Sequence, residues 1–155
     1  MTQILKIRKA IGAIIYRGDK FLLIRRGMIL DNSKNKNGYK KINPEWDILK
    51  GGIEKNESPK EALMRELYEE TGSKKYVIFK QFKEKLSYAL PKSTGFDKQE
   101  VTMFLVEYIG DGKDLKPDSK EIVELKFFNK SQVMKNIKYP ESKEFFKAYL
   151  NNTVV

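Results

Sequence analysis

Residues 51–72 read GGIEKNESPKEALMRELYEETG, from Gly51 to Gly72, and the other segments are best understood as approaches to this stretch or walls around it. Ser58-Pro59-Lys60-Glu61 has the form of a helix start. Ser58 can cap, Pro59 suits the first helical position, and Glu61 stands where it can close a capping box. Gly72 is placed to end the helix in the left-handed conformation. The pattern predicts a helix over Pro59 to Thr71. At about 100° per residue, Glu66, Glu69 and Glu70 share one face, beside an apolar stripe of Leu63 and Leu67 that can pack on a sheet.

Three carboxylates on one face repel one another, by roughly 0.2–0.5 kcal/mol per pair even in water. The repulsion grows near a low-dielectric core. A hard divalent cation, Mg²⁺ or Mn²⁺, reverses its sign, because such ions take oxygen ligands and suit substrates that bring phosphate oxygens. A bare ExxEE is more simply a solvated acidic face. Here it lies beside Arg65, after a Gly-Gly turn, in a basic chain, and that context favours a metal site.

These residues resemble the Nudix hydrolase box, GX5EX7REUXEEXGU. Gly51, Glu57, Arg65-Glu66-Leu67, Glu69-Glu70 and Gly72 fall at the box spacing, and only Ser73 departs, where an aliphatic residue is usual. Glu45-Trp46-Asp47-Ile48-Leu49-Lys50-Gly51-Gly52 is similar to the WxxPxGG approach to the box, with Leu49 where proline is frequent. Phe82 to Tyr88 is similar to a segment of asymmetrical diadenosine tetraphosphate hydrolases, a branch that carries a tyrosine near the base site. Tyr88-Ala89-Leu90-Pro91-Lys92 resembles the Tyr-x-Leu-Pro-Lys of bacterial RNA pyrophosphohydrolases. Glu121, a few residues before an aromatic strand, aligns with the family's second acidic site, with Glu124 as the alternative. Leu125 stands where the diadenosine branch often has tyrosine.

Composition bounds the chemistry. The 155 residues are 40% hydrophobic and 34% charged, which predicts one domain with a substantial core. Net charge is +10, and arginine occurs only at 8, 17, 25, 26 and 65. Lysine of this kind gives diffuse attraction to polyanions such as a nucleotide polyphosphate or an RNA end, or simply a lysine-rich surface. There is no cysteine and no histidine, which excludes disulfides, thiolate nucleophiles, Cys/His zinc sites and histidine bases. No signal-like segment is evident, and the apolar run Ala10 to Ile15 is far too short to span a bilayer. The expectation is a cytoplasmic protein, monomer or homodimer, without membrane partners.

Strands are expected over Ile4–Tyr16, Phe21–Arg25, Tyr76–Tyr88, Glu100–Tyr108 and Val123–Phe128, and helices over Asn129–Ile137 and Ser142–Leu150. Arg25 and Arg26 could face phosphate or merely end a strand in solvent. Met28 to Pro44, with Lys34, Lys36, Lys40 and Lys41, reads as a long polar loop: a basic flap or a solvated insertion. Trp46 could stack on a base or wall the glycine loop. Gly51 and Gly52 allow close backbone approach.

The resemblance implies an α/β fold, a three-layer α/β/α sandwich with a mixed central sheet. It implies water attack on a pyrophosphate linkage, with Mg²⁺ or Mn²⁺ held by Glu66, Glu69, Glu70 and Glu121. Glu66 or Glu121 would take the proton, and Arg65 would pair with a box carboxylate such as Glu57. Lys50, Gly51, Gly52, Trp46, Tyr88 and Lys92 would bind substrate. Dinucleoside polyphosphates lead, then a 5′-triphosphorylated RNA end, then ADP-ribose or a nucleotide sugar; a catalytically silent RNA-binding Nudix fold is the non-enzymatic alternative.

Overall fold

The computed structural model describes residues 4–31, 38–117 and 120–155. Strands β1 (Ile7–Arg17), β2 (Lys20–Leu30), β3 (Tyr39–Asp47) and β4 (Leu49–Gly52) precede helix α1 (Pro59–Thr71). Strands β5 (Tyr76–Ala89), β6 (Lys98–Tyr108) and β7 (Ile122–Phe128) follow, then helices α2 (Lys130–Asn136) and α3 (Pro140–Leu150). The seven strands form one mixed sheet in the order β3-β2-β1-β6-β5, with β4 pairing β1 and β7 pairing β2. Among the described residues, only the β1–β6 pair of strands is parallel.

Strand β1 lies at the sheet centre, and its apolar run is buried on both faces, as a central strand requires. Alternation divides the core. Ala10, Ile14, Phe21, Leu23, Val101 and Met103 face Val133, Phe145 and Phe146 of α2 and α3. Ile11, Ala13, Ile15, Leu22, Ile24 and Phe104 face Ala62, Leu63 and Leu67 of α1. Leu63 and Leu67 are almost wholly buried, and each contributes about 1.5–3 kcal/mol. This is the α/β/α arrangement with a mixed sheet that the sequence predicted.

Helix α1 is bounded as its sequence requires. Ser58 Oγ accepts from Glu61 N at 3.1 Å, and Glu61 Oε1 accepts from Ser58 N at 3.1 Å. Gly72 caps the other end at φ 75°. Ser73 Oγ donates to Asp114 Oδ2 at 2.5 Å and accepts from Lys75 N at 3.0 Å; Asp114 also accepts from the Tyr108 hydroxyl. The atypical box residue thereby ties the chain around Asp114 to the end of α1, in place of an apolar contact.

The segment 28–44 is not the long loop expected. Strand β2 runs on to Leu30 and β3 begins at Tyr39, pairing Met28 with Lys41, Ile29 with Lys40 and Leu30 with Tyr39. The apolar triplet on β2 supplies a surface on which the polar β3 arm can pair. Lys34 and Lys36 lie outside the described residues.

Candidate active site

Strand β4 brings Gly51 and Gly52 against α1. A β-carbon on Gly51 would stand 2.6 Å from Glu66 Cγ and Oε1, so only glycine lets this carboxylate seat on the strand. Arg65 organises the helix face. Its Nε and Nη2 donate to the two oxygens of Glu57 at 2.8 and 2.9 Å, and Nη2 also donates to Gly52 O at 2.9 Å. Its Nη1 bridges Glu66 Oε1 at 2.8 Å and Glu69 Oε2 at 3.1 Å. The Arg65 bonds hold the Glu57 carboxyl down at about 2. Burial pushes the Glu66 carboxyl up, against the lowering by Arg65.

Glu70 is only 4% exposed. Its Oε1 accepts from Arg26 Nη2 at 3.0 Å, while Oε2 is buried with no hydrogen-bond partner. Burial, reinforced by Glu66 and only partly offset by Arg26, raises its carboxyl to about 7. Arg26 also donates through Nη1 to Glu121 Oε2 at 3.2 Å and through Nη2 to Lys50 O at 3.3 Å. One buried guanidinium thus joins α1, β4 and the approach to β7. Burial opposes its charge, but Glu70, Asp47 and Glu121 outweigh that and raise it. Of the two arginines left open by the sequence, Arg26 turns inward, and Arg25 pairs with the half-exposed Glu124 at 3.4 Å. Parity along β2 carries the signal, since Arg26 is in step with Leu22 and Ile24, which face α1.

Glu66, Glu69, Glu70, Glu121, Arg65, Lys50, Gly51, Gly52 and Tyr88 all line one cleft of about 970 Å³. Lys50 Nζ pairs with Asp47 Oδ2 at 3.2 Å and lies 5.1 and 5.5 Å from the Tyr88 and Tyr139 ring centres. Burial opposes the Lys50 charge, and Asp47 more than restores it. Gln99 accepts from Arg8 Nη1 and donates to the Tyr88 hydroxyl, each at 2.6 Å. Arg8, Gln99 and Tyr139 escaped notice in the sequence as site residues, because topology, not a local motif, brings them here.

Two expected substrate residues are placed elsewhere. Trp46 does not line the cleft; it packs edge-to-face on Phe128 at 4.9 Å and bridges to Ile137. Neighbours on a strand point to opposite faces, and Asp47 takes the cleft side. Lys92 is exposed on the 3₁₀ turn Lys92–Thr94, whose Ser93 and Thr94 line the cleft instead. Glu121 lines the cleft and Glu124 does not.

The donors suit a hard divalent cation: they are carboxylate oxygens, and Glu70 Oε2 is buried and unpaired. Among the described residues, no three of them already converge on one point, since Arg65 and Arg26 hold them apart in pairs.

A helix of paired carboxylates docked on a glycine strand, facing a cationic and aromatic wall, is the apparatus of a phosphoanhydride hydrolase. The sequence profile of the NUDIX domain matches residues 6–149, and the chain belongs to this family of pyrophosphohydrolases. It is similar to the RNA pyrophosphohydrolase of a Nitratiruptor species, 38% identical over 114 residues, spanning 66% of this chain and 74% of that one. The RNA pyrophosphohydrolase of Pelagibacter ubique is 27% identical over 162 residues, spanning 95% and 96%. Among solved structures, a C. elegans Ap4A hydrolase binary complex superposes with TM-score 0.69 at 21% identity, covering 94% and 96% of the two chains. The MutT protein from Methanosarcina mazei Go1 gives 0.71 at 22%, covering 97% and 98%. At these identities the two structures establish the fold.

Proposed function

We propose that this chain hydrolyses the 5′-triphosphate of RNA with Mg²⁺ or Mn²⁺, adding water across a P–O–P linkage. The observation that carries this reading is the chemistry of the cleft lining: carboxylates share one cleft with Arg8, Lys50, Gln99 and Tyr88. The relatives named RNA pyrophosphohydrolase and the segment Tyr88-Ala89-Leu90-Pro91-Lys92 support it. Glu66, Glu69, Glu70 and Glu121 would hold the cation, whose charge offsets that of the phosphates and lowers the pKa of water. Glu66 or Glu121 would take the proton. Arg65 acts on the carboxylates, fixing Glu57, Glu66 and Glu69, and Lys50 and Arg8 supply positive charge toward the phosphates. A cytoplasmic site of action accords with an RNA substrate, and no described helix is long and apolar enough to cross a membrane.

The pair of rings around Lys50, Tyr88 and Tyr139, favours a second reading: a dinucleoside polyphosphate such as diadenosine tetraphosphate. A panel of triphosphorylated RNA, diadenosine tetraphosphate and ADP-ribose, each with Mg²⁺ and with Mn²⁺, decides between them. The RNA reading requires the highest kcat/KM on triphosphorylated RNA, and a lead for diadenosine tetraphosphate would replace it.

A further inference from the structure

We propose that the wing formed by Met28–Leu30 and Tyr39–Lys41 binds the nucleotides that follow the 5′ end of an RNA substrate, with Tyr39 and Lys40 as its principal contacts. The inference rests on the RNA reading above. The wing begins at a joint with the active site. Arg26 pairs with Glu45, but the next ladder pair is Met28 with Lys41, so Gly27 alone faces Ile42, Asn43 and Pro44. Such a bulge interrupts the ladder, and bulges bend and twist the strand that carries them. Gly27 N donates to Glu121 O at 2.7 Å, and a β-carbon on Gly27 would meet Val123 Cγ1 at 3.2 Å. The bulge is therefore tied to the same backbone that presents Glu121.

Beyond the bend, Met28, Ile29, Leu30, Tyr39 and Lys40 line the catalytic cleft itself. Tyr39, half-buried, lines the same cleft as Glu66 and Glu121. It offers a ring on which a base can stack. Lys40 and Lys41 are exposed, and Lys40 is held by Asp31 at 3.5 Å. An apolar and aromatic floor with Lys40 lining the cleft and Lys41 exposed beside it matches a single strand of RNA, which presents bases and phosphodiesters in alternation. A lone nucleoside triphosphate would engage the carboxylate end and leave the wing unused.

The test measures kcat/KM for a nucleoside triphosphate and for 5′-triphosphorylated RNAs of two, three and eight nucleotides. The parent is compared with Tyr39→Ala, Tyr39→Phe and the double variant Lys40→Ser/Lys41→Ser. The parent should gain with length. Tyr39→Ala and the lysine variant should each lower the RNA-to-mononucleotide ratio about tenfold, the lysine variant with a flatter salt dependence, and Tyr39→Phe should restore the ratio. Equal ratios in parent and variants, or a parent without a length gain, would overturn the proposal. A parent that cleaves diadenosine tetraphosphate but no triphosphorylated RNA would overturn the RNA reading itself, and the wing's role with it.

Discussion

Gly51 and Glu66 share one volume: the space a β-carbon on Gly51 would need is filled by the Glu66 side chain, 2.6 Å from its Cγ and Oε1. The strand and the helix carboxylate are fitted to each other, and a methyl group between them must push Glu66 outward. Gly51→Ala should lower kcat about a hundredfold, the scale of a displacement near 1 Å in a reacting group. Steady-state kinetics beside a thermal melt check this, and unchanged kcat would show that Glu66 need not sit where it does.

Removing a ligand oxygen should act on chemistry more than on fold. Glu69→Gln and Glu70→Gln should each lower turnover at least about a hundredfold. Circular dichroism should match the parent. Full activity in either variant would remove that residue from the proposed cation site.

Glu70 gives a pH dependence of known sign. Its carboxyl is raised in the folded chain to about 7, so the folded state favours the neutral form. Its contribution is most favourable below the ordinary carboxylate range and is lost as pH rises through about 7. In chelator, Glu70→Gln should therefore gain in melting temperature over the parent at about pH 8 and lose most of that gain near pH 5. The Glu57 carboxyl, held at about 2, changes only at lower pH and does not confound the comparison. A gain independent of pH would exclude ionisation of Glu70 as the cause.

Arg26 and Glu70 should be energetically coupled. Arg26→Ala leaves the Glu70 carboxyl without its cation, drives it further toward the neutral form and should lower stability in denaturant unfolding at neutral pH. Adding Glu70→Gln should recover part of that loss, since the second change removes the group that must take up the proton. Strict additivity of the two would mean that the 3.0 Å bond contributes nothing.

The box was legible because its chemistry is local. Capping residues, a helix period and a glycine turn fix where Glu57, Arg65, Glu66, Glu69 and Glu70 fall relative to one another. The central strands were legible for a similar reason, since Ala10–Ile15 is apolar on both parities. The wing was not. Asn, Lys and Gly around residues 32–41 carry the composition of a loop, whereas the ladder of residues 39–41 depends on its pairing with Met28, Ile29 and Leu30. Trp46 misled because an aromatic beside a glycine loop looks like a stacking platform, whereas strand parity sends it to Phe128. Arg8 and Gln99 lie far apart in sequence, and no local pattern could announce their bond.

That last separation has a consequence for how the protein comes into being. Every rung of the parallel ladder, from Ile7 opposite Lys98 to Tyr16 opposite Glu107, joins residues 91 apart in the chain. Closing so long a loop has an entropic cost that no neighbouring contact repays in advance, so such pairings form late and slowly. A chain emerging from the ribosome can wind α1 and set its capping box early, but it has no cleft until β6 has been made and has inserted beside β1. The carboxylate helix rests on local contacts, whereas the pocket beside it depends on a long-range ladder.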